Sequence, residues 1–111
     1  MPFKIAPRAT FTQDVKIMVP VDDGFEPDTL RTTFNYVDQE EQKSFDLKTA
    51  EGTIAFLKRA VARFHDLVDE KDRPVECTDA LRDRLIATRL EVRAGLSSHY
   101  FGAIIKVKEG N

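Results

Sequence analysis

Residues Thr53–Val68 read TIAFLKRAVARFHDLV. Ile54, Leu57, Val61, Phe64 and Val68 step by three and four, and Ala60 and Leu67 widen the stripe. Apolar residues at that spacing share one face of an α-helix. With Thr49 or Thr53 as the N-cap, the pattern predicts a helix over about 50–68. Fully burying one of these large side chains contributes roughly 1.5–3 kcal/mol, so the stripe requires a cover. What covers it decides the fold.

The cover lies upstream. In FTQDVKIMV, Phe11, Val15, Ile17 and Val19 fall on one side, with Gln13 the exception, and Thr12, Asp14 and Lys16 fall on the other. In LRTTFNYV, Leu30, Phe34 and Tyr36 oppose Arg31, Thr33 and Asn35. Such alternation marks half-buried strands. Two strands, about 11–19 and 30–37, around a segment rich in Pro, Gly and Asp predict an antiparallel hairpin with a long tip. Pro2 and Pro7 make residues 1–10 an extended arm, along which Phe3 and Ile5 alternate and could pin it down.

Downstream, Asp38 stands three residues before Glu41, an acidic variant of the capping box, and predicts a short helix over about 38–46. DEKDRPVEC (69–77) ends the long helix with a charge run and Pro74, as a turn with room for a short strand pair. Thr78 caps a helix over about 78–89, with Asp79 favourable in its first turn and Ala80, Leu81, Leu85 and Ile86 as its apolar side. After a bend near Thr88–Glu91, Val92, Leu96, Tyr100, Ile104 and Val107 predict a last helix over about 91–107. Gly95 and Gly102 fall inside it, each costing up to ~1 kcal/mol unless close packing uses them. The expected architecture is one α+β domain over 1–111: arm 1–10, hairpin 11–37, and a helical part 38–108 of three or four helices packed on the hairpin.

Composition narrows the function. The chain has 41% hydrophobic and 32% charged residues with a net charge of −2, so no overall field selects nucleic acid or an anionic membrane. Arg82, Arg84, Arg89 and Arg93 interleave with Asp79, Asp83 and Glu91, which reads as a solvated helix surface. Cys77 is the single cysteine, which excludes an intramolecular disulfide and multi-cysteine zinc sites. No signal-peptide pattern and no long apolar run occurs, so neither secretion nor a membrane span is expected.

The densest polar feature is VPVDDGFEPD (19–28), with four carboxylates in seven residues. An EF-hand loop counted from Asp22 requires glutamate at its twelfth position, where Thr33 stands, and Pro27 interrupts the run. The segment reads as a solvated turn. Phe25 in its middle either folds back on the domain or touches a partner. His65 and Asp69 have i,i+4 spacing, but two ligands make no selective metal site. Nothing in the sequence brings His65 or His99 to Cys77 as a nucleophile's base. Phosphate-binding glycine loops and the G-x-S-x-G elbow are absent. The chain reads as a packing and interaction protein with no catalytic, cofactor or metal residues.

The order of segments adds a resemblance. FTQDVKIMVP from Phe11 is followed by a D-G loop and by T-F-x-Y at Thr33, Phe34 and Tyr36. Gln39-Glu40-Glu41 opens the helical part, and FLKRAVARFHDLVDEKDRPVECT carries the turn D-E-x-x-x-P-V. A closing series runs from Ala80 through Val92, Arg93, Leu96 and Tyr100 to Ile104. This arrangement, over roughly 11–107, resembles the small tail assembly chaperones of long-tailed bacteriophages and prophages. The resemblance implies an α+β domain without catalytic residues that acts in the host bacterial cytoplasm. It would bind the tape measure protein, keep it soluble and recruit tail tube subunits, with homo-oligomer formation possible. The present chain would be the form without the frameshifted extension. The competing reading is a structural tail or neck protein retained in the virion. A chaperone requires exposed apolar surface, and the candidates are Phe25 on the hairpin and Leu96, Tyr100, Phe101 and Ile104 on the last helix, where a core-facing stripe is the alternative. The acidic loops would supply solubility.

Overall fold

The fold is taken from a computed structural model that describes residues 1–5 and 9–108, with side chains as far as Gly102. Strands β1 (Thr10–Val21) and β2 (Gly24–Asn35) form an antiparallel hairpin in which Thr10 pairs with Asn35 and Val21 with Gly24. The expected α+β architecture is present, but the long tip is not. The ladder runs through VPVDDGFEPD to a two-residue turn at Asp22 and Asp23, where Gly24 takes φ +142°.

Pro20 and Pro27 had suggested a loop, yet both lie in strands. Their partners are Phe25 and Met18, pairs two steps apart in the ladder. Antiparallel pairs alternate between hydrogen-bonded and open kinds. With Val21–Gly24 closing the turn as a bonded pair, both prolines fall in open pairs, whose N–H positions point out of the hairpin. Prolines are tolerated at such edge positions.

The second correction concerns the helix expected over 50–68. The helical part is α2 (Ala50–Ala60), N-capped by the Thr49 hydroxyl, which accepts from the Gly52 amide. Val61–His65 is instead a strand, β3, antiparallel to β2, giving the sheet order β1-β2-β3. Phe34 pairs with Val61 and Thr33 with Arg63, so Ala62 is an extra residue, and Phe64 then pairs with Thr32. The bulge puts Val61 and Phe64 on the same, buried face although they are three residues apart. A spacing of three mimics a helical step, which is why the apolar period ran through the junction unbroken.

One helical turn, α1 (Gln39–Gln42), follows β2, with the Asp38 carboxylate accepting from the Glu41 amide. Helix α3 (Asp79–Thr88) begins at the Thr78 cap, and α4 (Leu90–Lys108) follows after a bend at Arg89. The Arg93 guanidinium donates to the Ile86 and Ala87 carbonyls at the end of α3, fixing that bend. Between β3 and α3 the short strand pair that the sequence left room for is reduced to one isolated antiparallel bridge, Val68 with Pro74. Its turn is held by Asp69, which accepts from the Lys71 and Arg73 amides, and these bonds lower its pKa.

The helices cover one sheet face. Val15 and Ile17 of β1, Thr32 and Phe34 of β2, and Val61 and Phe64 of β3 meet Phe56, Leu57 and Ala60 of α2, Ile86 of α3, and Val92, Leu96 and Tyr100 of α4. Tyr36, expected on this face, is half exposed; the ladder ends at Asn35 and Val37 turns inward instead. Tyr100 is the centre of the aromatic cluster, with ring centroids 5.6 Å from Phe34 and 5.5 Å from Phe56. Its hydroxyl accepts from the Val37 amide at 3.0 Å. Gly95 lets α4 approach β1: a Cβ there would stand 2.9 Å from the Lys16 carbonyl oxygen.

Candidate interaction surface

The sheet has two open edges, and they are treated differently. Along β3 the Phe64 amide donates to the Cys77 sulfur at 3.3 Å, and Arg82 donates to the Ala62 carbonyl at 3.1 Å. Side chains thus occupy edge groups that would otherwise template another strand. Cys77 is therefore a hydrogen-bond acceptor at an edge. His65 bonds the Thr33 hydroxyl at 2.7 Å on the outer sheet face, and His99 bonds Gln13 at 2.6 Å while stacking on Phe34. Gln13, the polar exception in the β1 pattern, is thereby explained. Among the described residues no group of three or more His, Cys, Asp or Glu is placed to hold a metal ion.

The other end of the hairpin has no such cover. β3 pairs only with Arg31–Phe34, so β2 from Gly24 to Leu30 has β1 as its one strand neighbour. Register puts Met18, Pro20, Phe25 and Pro27 on the sheet face away from the core, with Glu26 and Asp28 on the other. Phe25 is 67% exposed and Met18 41%. Beside them runs the first half of α4, where Leu90 is 69% exposed. Between strand end and helix lies a cleft of about 630 Å³, walled by Met18, Pro20, Phe25, Leu90, Ala94 and Gly95, with Lys16, Glu91, Ser98 and His99 completing its lining.

The five candidate residues divide against this surface. Phe25 is on it. Leu96 and Tyr100 are core residues, 0% and 1% exposed, and present no surface in this fold. Phe101 is half buried and stacks on Phe56 at 5.4 Å. The Ile104 side chain lies outside the described residues. Met18 and Leu90 were missed by sequence reasoning. The available signal was an apolar residue at an outward β1 position, between Lys16 and Pro20, and a leucine at a helix start outside the apolar steps.

No protein-family model matches the chain, and neither a curated protein nor a solved structure is significantly similar to it. No helix among the described residues is long and apolar enough to cross a membrane.

Proposed function

We propose that this chain is a tail assembly chaperone of a long-tailed phage or prophage, a non-enzymatic protein of the host cytoplasm. In this reading it binds the tape measure protein and recruits tail tube subunits. The proposal starts from the order of segments noted in the sequence. The structural observation that supports it is the apolar cleft at the distal end of the hairpin, with Phe25 exposed on its rim. Exposed apolar surface of this kind, beside acids that favour solubility, is what a transient holder of an apolar chain requires.

Co-expression with a tape measure protein, which this reading expects to be encoded next to its gene, tests the proposal. Tagged wild-type chain should retain that protein in the soluble fraction, and Phe25→Ser should retain less at unchanged thermal stability. Mass spectrometry of purified virions gives the second arm. Abundant peptides from this chain in mature particles would overturn the chaperone reading in favour of a structural tail or neck protein.

A further inference from the structure

The sheet face turned away from the helices carries a charge pattern of its own. Its outward positions are the even-numbered residues of β1, the odd-numbered residues of β2, and Arg63 and His65 of β3. Over the whole chain acids outnumber lysine and arginine. On this face the balance reverses: Lys16, Arg31 and Arg63 stand against Asp14, the single acid at an outward strand position. Asp14 is paired with Arg31 at 3.0 Å. Among the described residues Lys16 and Arg63 have no ion-pair partner, and both are exposed.

Register orders the three cations. Lys16 pairs with Thr29 and Asp14 with Arg31, so Lys16 and Arg31 are diagonal neighbours. Arg31 pairs with His65 and Thr33 with Arg63, so Arg31 and Arg63 are diagonal neighbours in the same sense. Such neighbours stand ~7–8 Å apart on one sheet face. Arg63, Arg31 and Lys16 thus form a stripe with one cation per strand. The stripe ends at Lys16, which also lines the apolar cleft. Met18 is the next outward residue of β1, and the outward pair after it is Pro20 with Phe25. Basic stripe and apolar cleft are therefore one continuous surface.

We infer that this surface binds an acidic segment of a partner protein that ends in apolar residues, with its carboxylates on Arg63, Arg31 and Lys16 and its apolar side chains in the cleft. Alternate side chains of an extended segment share one side and recur every ~6.8 Å, close to the step of the stripe. The guanidinium fork matches a carboxylate. Asp22 and Asp23, in the turn beyond the cleft, repel the acidic part of a segment laid in reverse, which fixes its direction. A nucleic acid fits less well. Sheet faces that bind single strands stack bases on aromatic side chains, whereas Thr12, Thr29 and Thr33 flank the cations here, and Thr33 is bonded to both Thr12 and His65. The partner's identity rests on the chaperone reading; the acidic requirement rests on the stripe alone.

Fluorescence anisotropy with the full chain tests it, the probe being a labelled synthetic peptide of alternating glutamate and serine followed by leucines. Wild type should bind it at low salt and release it as salt rises and the charges are screened. Lys16→Glu/Arg63→Glu should weaken binding about tenfold, since two exposed attractions become repulsions. Its melting temperature should equal wild type's, because both side chains are exposed and neither is ion-paired. A peptide with lysine in place of glutamate should bind wild type poorly and the doubly reversed variant better. No binding of the glutamate peptide, equal binding of the two peptides by wild type, or glutamate-peptide binding that survives the double reversal overturns the inference. Tighter binding of an oligothymidylate than of the glutamate peptide overturns it in favour of a nucleic acid. Failure here with the tape measure protein still retained in co-expression removes the acidic requirement alone, and peptide binding without that retention removes the chaperone reading alone.

Discussion

Removing one oxygen atom, Tyr100→Phe, probes how the last helix is locked to the sheet. The ring stays and so do its contacts with Phe34 and Phe56. What is lost is the acceptor for the Val37 amide, 3.0 Å away in a residue only 3% exposed. A buried backbone donor left without a partner costs about 1–3 kcal/mol. Globular chains unfold with ~2.1 cal/mol/K per residue. For a chain of this length, ~2 kcal/mol then lowers the melting temperature by about 8–9 °C. Urea and thermal denaturation followed by far-UV circular dichroism at neutral pH measure it directly.

The same hydroxyl gives a pH signature. Burial pushes the Tyr100 pKa above the ordinary tyrosine value, outweighing the opposing effect of the Val37 amide. The folded state thus holds that proton more tightly than the unfolded state. Its contribution is fully present below about pH 10, the unfolded tyrosine value, and is lost as pH rises through the raised folded value. Wild type should lose stability above pH 10 more steeply than Tyr100→Phe, so the two curves converge. Tyr36→Phe, at a half-exposed position, serves as the control. A Tyr100→Phe stability equal to wild type at pH 7, or curves that stay parallel through the alkaline range, refutes the buried hydrogen bond.

The two glycines of α4 should respond with opposite signs. Gly95→Ala puts a methyl 2.5 Å from Ile17 Cδ1 and 2.9 Å from the Lys16 carbonyl oxygen, and the backbone atom cannot swing away. The expected net loss is about 1–2 kcal/mol, overpacking exceeding the helix-propensity gain. Gly102→Ala meets nothing within 4 Å and should stabilise by ~0.5–1 kcal/mol. Equal responses in urea denaturation would contradict the close approach of α4 to β1. Phe101→Ala should cost about 1.5–2 kcal/mol, roughly half the value for a fully buried phenylalanine, because its ring stacks on Phe56. An unchanged melting temperature would place Phe101 outside the core and return it to the interaction surface.

Where periodicity was pure, the sequence was legible. β1 alternates through Val15 and Ile17 with no bulge, and α3 starts at Thr78 as its cap chemistry predicts. Helix α4 follows its apolar steps, and the packing role allowed for Gly95 is realised. The failures have specific causes. No glycine, proline or polar run separates Ala60 from Val61, and the bulge at Ala62 turns a strand's period of two into a helix-like three. β-branched Val61 and aromatic Phe64 were the remaining hints of a strand. The prolines misled in the other direction, because their place in open pairs at an edge depends on a register that sequence does not display. The cleft was legible only at Phe25, since Leu90 and Met18 reach it by the approach of α4 to β1, a long-range contact.

The hairpin's asymmetry follows from the length of β3. Five residues of β3, one of them spent on the bulge, support β2 only from Arg31 to Phe34, next to the helices. Beyond that point the hairpin continues as two strands, and a two-stranded ribbon is marginal by itself. A projecting ribbon with an exposed aromatic face would ordinarily invite strand addition. Here both prolines withdraw outward N–H groups and two acids, Asp22 and Asp23, form the turn, while at the opposite edge Cys77 and Arg82 occupy the backbone of β3. Both edges are thus blunted, by different means, and the apolar surface that remains is one of side chains. A partner at this end must therefore be recognised through side-chain fit in the Phe25–Leu90 cleft and through charge, not through extension of the sheet.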